Sequence, residues 1–312
     1  MHSGQAESGR DDDAERRHRI LNEQGPLINL AYRLLGSLAD AEDAVQEGYA
    51  RWYALSREQQ DAIASPGAWL STVVSRVCLD LLGSARVRRE RYVGEWLPEP
   101  VPDVMERYGR RPGAETDPAD RITLDESVDM AFLVVLDSMT PAERVAFLLH
   151  DVFRYPFTEV AEIVGRTPAA CRQLASSARR RVGDARPITA PAARARVVRD
   201  FKRAWQAQDI QALINLLDPS ATATADGGGR VAASLTPIEG GAEIARFLVD
   251  LARQAGTLNL LERTVNGQAG LVATDRGKTV AVYAFEIAGD RIQRLWVVRN
   301  PVKLRVWTQP SA

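Results

Sequence analysis

Apolar residues recur at helical spacing along the first part of the chain. Leu27, Ile28, Leu30, Ala31, Leu34, Leu35 and Leu38 lie on one stripe, and Gly36-Ser37 followed by Asp40 marks a stop and a restart. The next helix, Asp40 to about Leu55, sorts into two arcs when turned at about 100° per residue. Ala41, Ala44, Val45, Gly48, Tyr49 and Trp52 fall on one arc, and Glu42, Asp43, Gln46 and Glu47 on the other. After Ser65-Pro66-Gly67 a third helix opens at Trp69 and runs through Val73, Val74, Val77 and Leu81. The pattern predicts a compact helical unit over 18–93, behind a disordered tail over 1–17.

From Gly94 to Pro118 the pattern dissolves into prolines scattered among acids, the composition of an extended acidic linker. A second helical unit is predicted over 119–186. In it a short helix, Thr158 to Val164, stops at Gly165, and another starts with Thr167 as N-cap and Pro168 at the first helical position. Two helices joined by a short glycine turn form a helix-turn-helix. Ala170, Cys171, Leu174, Ala175, Ala178 and Val182 make the inner arc of the second helix. Arg172, Gln173, Ser176, Ser177, Arg179 and Arg180 make the outer one, which offers hydrogen bonders to base edges and charge to phosphates.

Residues 187–193 form a second, breaker-rich linker. In 194–312 an amphipathic helix is predicted from Arg194 to about Leu217 and another from Gly241 to about Ala255. Strands follow over 258–265, 270–274, 279–287 and 291–298, punctuated by Asn266-Gly267, Arg276-Gly277 and Gly289-Asp290. Helices followed by antiparallel strands on tight turns predict an α+β domain with a curled sheet.

The 312 residues carry 40 basic and 41 acidic side chains. A near-neutral chain argues against nucleic acid until the charge is read locally. Arg76, Arg86, Arg88, Arg89 and Arg91 stand against only Asp80 and Glu90 over 76–91, and six arginines stand against Asp184 alone over 166–186. Ten acids crowd the stretch between, from Glu95 to Asp129. Residues 191–312 hold 16 basic and 11 acidic side chains, a net of +5. Only Lys202, Lys278 and Lys303 of the basic residues are lysine, and arginine forks phosphate and guanine edges where lysine offers a point charge. Cys78 and Cys171 stand far apart with no histidine near either, so no metal, cofactor or disulfide framework is expected. No apolar run reaches the ~20 residues of a membrane span, and the acidic start is unlike a secretory signal, so a cytoplasmic protein is expected.

Asp40-Ala41-Glu42-Asp43-Ala44-Val45-Gln46-Glu47 resembles the polymerase-binding helix of bacterial sigma factors of the extracytoplasmic-function class. Trp69-Leu70 through Leu79-Asp80-Leu81-Leu82 resembles that family's promoter-melting helix, and Pro141 to Asp151 with the helix-turn-helix after it resembles its minus-35-reading region. Residues 194–307 resemble the SnoaL-like cone fold. Trp96-Leu97-Pro98-Glu99-Pro100, Asp226-Gly227-Gly228-Gly229-Arg230 and Asn300-Pro301-Val302-Lys303-Leu304 match the subgroup that carries such an extension. The resemblance implies two all-α domains followed by an α+β SnoaL-like domain, with core RNA polymerase and promoter DNA as partners.

It implies that Asp40, Glu42, Asp43, Gln46 and Glu47 meet the polymerase. Trp69, Arg76, Arg86, Arg88 and Arg89 would serve melting DNA, although the family usually has asparagine where Arg76 stands. Thr167, Arg172, Gln173, Ser176, Ser177, Arg179 and Arg180 would serve the upstream element. Trp96, Leu97, Pro98, Glu99, Pro100, Asp226, Gly227, Gly228, Gly229, Arg230, Asn300, Pro301, Lys303 and Leu304 would make a regulatory contact through which the C-terminal domain modulates activity in cis. The bland alternatives are solvated helix faces, a flexible glycine turn and a linker tryptophan covering a helix. SnoaL-like relatives perform acid/base chemistry on polycyclic ketones, which leaves a small ligand open. The extension has no histidine, and Asp200, Asp209, Asp226 and Glu286 are its candidate bases. No catalytic residue is assigned. The competing readings are an isomerase- or cyclase-type domain fused to a DNA-targeting module, and a repressor using the helix-turn-helix alone.

Overall fold

The computed structural model describes residues 23–89, 92–102, 129–183, 189–255 and 258–308. The helical part runs α1 (Gln24–Leu35), α2 (Leu38–Tyr53), α3 (Arg57–Asp61), α4 (Pro66–Arg89), α5 (Met130–Asp137), α6 (Pro141–Phe147), a π-helical turn (Leu148–Val152), α7 (Phe157–Val164) and α8 (Pro168–Gly183). The remainder runs α9 (Pro191–Gln206), α10 (Ile210–Leu216), β1 (Leu217–Asp226), β2 (Ile238–Glu239), α11 (Gly241–Ala255), β3 (Asn259–Val265), β4 (Gln268–Asp275), β5 (Lys278–Ala288), β6 (Arg291–Val298) and α12 (Arg305–Thr308). Two compact units result, one from residues 1–85 and 140–176, the other from 86–139 and 177–312.

In the first unit Gly36 ends α1 in the left-handed region at φ 70°, and the Ser37 side chain accepts from Asp40 N to start α2. Helices α2 and α4 approach at Gly48, where a Cβ would stand 2.7 Å from Val74 Cγ2. Trp52 and Trp69 meet edge to face, their centroids 5.3 Å apart. Thr140 and Glu143 form a capping box that starts α6. Arg144, buried, donates to Leu34 O at 2.9 Å and so closes the carbonyl end of α1. That burial pulls its pKa down to about 10. The guanidinium of Arg33 lies 5.6 Å from the Phe153 ring centroid.

The second unit is built on a six-stranded sheet in the order β2-β1-β6-β5-β4-β3. Helices α9, α10 and α11 cover one face, over a core that includes Val197, Phe201, Trp205, Leu248, Tyr283, Phe285 and Leu295. Phe201 meets Phe285, and Trp205 meets Tyr283, each edge to face at 5.3 Å. The opposite face presents Val265, Val272, Val282, Ala284, Trp296 and Val298. Leu97, Met130 and Leu304 cover it, with Ala131 and Val134 of α5 and Trp307 of α12 packed beside them.

The architecture is the expected one in outline: helical domains followed by an α+β domain, here with a mixed sheet. Several local expectations need correction. The helix predicted from Arg194 to Leu217 is two, because Gln208 takes φ 55° and Asp209 caps α10 by accepting from Ala212 N. Strand β1 was not anticipated, and it pairs parallel with β6, so the sheet is not purely antiparallel. The third helix opens at Pro66 rather than Trp69, and α3 precedes it. Residues 94–102 are not a free linker, since Leu97, Pro98, Glu99, Pro100 and Val101 are all buried. Pro191 to Ala193, expected in the second linker, already belong to α9. The tail expected over 1–17 and linker residues 103–118 lie outside the described residues.

Candidate functional site

On α2 the 3.6-residue repeat puts Ala41, Ala44, Val45, Gly48, Tyr49 and Trp52 inside, and leaves Glu42, Asp43, Gln46 and Glu47 exposed on one side. Asp40 is half-buried in the first turn, where an acid complements the helix dipole. Glu47 receives Arg51 Nε at 2.8 Å. This exposed face is acidic.

The helix-turn-helix is built as its sequence dictates. Gly165 ends α7 at φ 69°, and the Thr167 side chain accepts from Ala170 N at 3.2 Å to start α8. Thr167, expected among the DNA contacts, is exposed, and its hydroxyl caps the helix as an acceptor while keeping its own O–H to donate. Cys171, Ala175 and Ala178 are buried, a small-residue seam that seats the helix. Arg172, Gln173, Ser176, Arg179 and Arg180 are exposed and Ser177 half-buried. The Arg172 guanidinium carbon lies 5.6 Å from the Phe157 ring centroid, which limits its swing. On α4, Trp69 is half-buried against Trp52, and Arg76 is exposed with Nη2 donating to Glu162 O at 3.2 Å. Arg86, Arg88 and Arg89 lie outside the residues whose side chains are described.

The third place joins stretches more than a hundred residues apart. Asp226, at the end of β1, is wholly buried. Its Oδ2 accepts from Leu97 N at 3.0 Å and from Lys303 Nζ at 2.7 Å. Its Oδ1 accepts from the Tyr92 hydroxyl at 2.6 Å and from Gly228 N at 2.9 Å. Lys303, itself buried, also donates to Leu97 O and lies 4.1 Å from the Trp96 ring centroid and 5.3 Å from that of Tyr92. Asn300 donates its side-chain amide to the Tyr92 oxygen at 2.8 Å. Each charge thus meets its opposite and several dipoles, the condition under which a buried ion pair is tolerated. Burial, and then the Asp226 carboxylate, push the Tyr92 hydroxyl well above the usual phenol range.

Further along the same segment, Val101 N donates to Asn266 Oδ1 at 3.3 Å, and Asn266 N returns a bond to Val101 O at 2.9 Å. Trp307 Nε1 donates to Pro100 O at 2.8 Å. Tyr92, Asn266 and Trp307 were not singled out in the sequence. The Asn266-Gly267 turn marked a hairpin, and no signal marked the other two.

The glycine run is a turn with a steric requirement. Gly228 has φ 63°, and a Cβ there would stand 2.4 Å from Asn300 Nδ2. Arg230 and Pro301 are exposed, at the edge of the cluster rather than in it. Gly227, Glu99, Pro98, Pro100 and Leu304 are buried. Of the acids considered as bases, Asp209 caps α10, Asp226 holds the 92–101 segment, Glu286 meets Arg294 at 3.2 Å and Asp200 meets Arg203 at 3.8 Å. Among the described residues no cluster of three or more His, Cys, Asp or Glu could hold a metal ion, and no helix is long and apolar enough to cross a membrane.

Comparison with known proteins agrees with this layout. Residues 20–88 match the Sigma-70 region 2 family and residues 129–182 the Sigma-70 region 4 family. The chain is 38% identical over 296 residues to the ECF RNA polymerase sigma factor SigJ of Mycobacterium tuberculosis, covering 89% of each chain. It is 32% identical over 280 residues to a probable ECF RNA polymerase sigma factor, SigI, of the same species, covering 89% of this chain and 91% of the relative. Its structure superimposes on the crystal structure of the M. tuberculosis SigJ with a TM-score of 0.70 at 35% identity, covering 92% of this chain and 97% of the other. The chain belongs to the ECF RNA polymerase sigma factors, which direct core RNA polymerase to promoters and initiate transcription.

Proposed function

We propose that the C-terminal domain regulates this sigma factor in cis by gripping the linker between its two DNA-binding regions. The observation that carries the reading is the Asp226 carboxylate, which takes Leu97 N, Tyr92 and Lys303 at once. The segment 92–102 and helix α5 flank the acidic stretch 103–128, and both rest on the same sheet face. A linker held at both ends cannot thread freely through the polymerase, where its acids would imitate nucleic-acid charge in the product-RNA channel. The grip is therefore inhibitory, and polymerase docking competes with it. Loss of Lys303 and of the Trp307 bond should raise run-off transcription with core enzyme. Output equal to wild type from Lys303→Met and Trp307→Phe, both folded by circular dichroism, defeats the reading.

Within this scheme residues 18–93 serve as region 2 and 119–186 as region 4. Glu42, Asp43, Gln46 and Glu47 dock on the polymerase clamp, and Arg172 and Gln173 read base edges while Arg179 and Arg180 hold phosphates. Asp209 caps α10, Asp226 holds the 92–101 segment and Glu286 meets Arg294, while Asp200 makes only an exposed pair with Arg203, an arrangement that supports a regulatory rather than a catalytic domain.

A further inference from the structure

Helix α9 is two-faced in a way that cis-regulation does not use. Val197, Val198, Phe201, Ala204 and Trp205 face the sheet and are buried. Arg196, Arg199 and Arg203, spaced three and four residues apart, share the exposed side. The Arg199 and Arg203 side chains remain 49% and 72% exposed although each meets a carboxylate, Glu262 at 3.5 Å and Asp200 at 3.8 Å. Arg194 and Lys202 flank the stripe, tied to Gln268 and Glu262. Asp200 is the one acid within the helix. The stripe keeps a positive excess after its ion pairs are counted, and all three exposed members are the residue that forks phosphate bidentately.

The chain also fixes where this stripe can be. Eight peptide steps join Gly183, the end of α8, to Pro191, the start of α9. At most about 3.6 Å each, they span no more than roughly 29 Å, which is about eight base pairs of duplex at ~3.4 Å per step. With α8 in the major groove, the start of α9 is tethered within that distance of the end of α8, a reach that takes in the neighbouring backbone. The spacer side leads toward the element that region 2 holds, so the upstream backbone is the one assigned to the stripe.

We propose that the Arg196, Arg199 and Arg203 face of α9 is a second DNA-binding surface, which holds phosphates of the duplex immediately upstream of the element read by α8. Tethering makes this contact intramolecular once α8 has bound, so three modest phosphate contacts suffice. They add affinity and salt dependence without sequence preference.

The test uses holoenzyme and a promoter recovered by run-off with that same holoenzyme, as two fragments. One ends at the upstream edge of the minus-35 element, and the other continues about 15 base pairs further, well past the tether's reach. Binding is measured across a salt series for wild type and for the triple variant Arg196→Gln, Arg199→Gln, Arg203→Gln. On the long fragment the variant should lower the slope of log K against log salt by about 2 to 3 units. On the short fragment the two proteins should coincide, and the triple lysine variant should recover most of the slope. Equal slopes for wild type and variant on the long fragment overturn the proposal. A loss of equal size on both fragments also overturns it, by assigning the arginines to a protein surface of the polymerase. The inference rests on α8 as the upstream reader, which Arg172→Ala tests separately on the short fragment. A melting temperature shared by all variants excludes a folding defect.

Discussion

Asp226 shows how one side chain can join distant parts of a chain. Its two oxygens accept four hydrogen bonds, two of them from residues of the 92–97 segment, so removing any donor loosens a connection between sequence-remote elements. Taking away one member of a buried ion pair costs about 3 to 5 kcal/mol. Lys303→Met should fall at the low end, because Asp226 keeps three neutral donors, and urea unfolding measures it. Gly228→Ala should cost about 1 to 3 kcal/mol, the strain of a left-handed non-glycine residue, with a clash against Asn300 besides. Tyr92 makes a pH prediction. Its folded pKa is raised above the value near 10 of the unfolded chain, by burial first and by Asp226 second. Its contribution is therefore complete below pH 10 and disappears only as pH rises from there toward the folded value. A 295 nm titration of wild type minus Tyr92→Phe should show no phenol ionising near pH 10, and a transition there would contradict the burial.

The elements were legible in proportion to how local their causes are. The two arcs of α2 and of α8 follow from a 3.6-residue period and one N-cap; the structure divides α2 as expected, and on α8 it buries Cys171, Ala175 and Ala178 but leaves Ser177, expected outside, half-buried like Leu174. Strand β1 was hidden because Leu217 reads as the end of the preceding helix and the inward positions at the strand's centre are alanines, Ala221 and Ala223, residues of low strand propensity. What stabilises it is parallel pairing with β6 some seventy residues later, which no local pattern announces. The break at Gln208 escaped because a left-handed glutamine carries no turn signature. At this scale Asp43→Ala with Gln46→Ala should weaken holoenzyme formation in a core pull-down titration without changing the melting temperature. Arg172→Ala should relax preference at one promoter position by roughly 1 to 3 kcal/mol, read from competition among single-base promoter variants.

For the whole molecule, the near-zero net charge is a sum of unlike local excesses, an acidic face on α2 against exposed arginines on α8 and α9. The sheet of the C-terminal domain carries a conventional core on one face and a segment of the interdomain linker on the other. The motifs at 96–100, 226–230 and 300–304 were legible through resemblance, while Tyr92, Asn266 and Trp307 were not, nor was the chemistry joining them, since the spacing of Asp226, Lys303 and Leu97 obeys no helical or strand period. The central claim is that the grip holds in the free protein and is released in the holoenzyme. Hydrogen exchange at the Leu97 and Val101 amides, both donors to the C-terminal domain, tests it most directly. The amides should be strongly protected in the free sigma factor and lose that protection when transcription-competent core polymerase is added. Protection retained in a holoenzyme that initiates transcription would contradict the account.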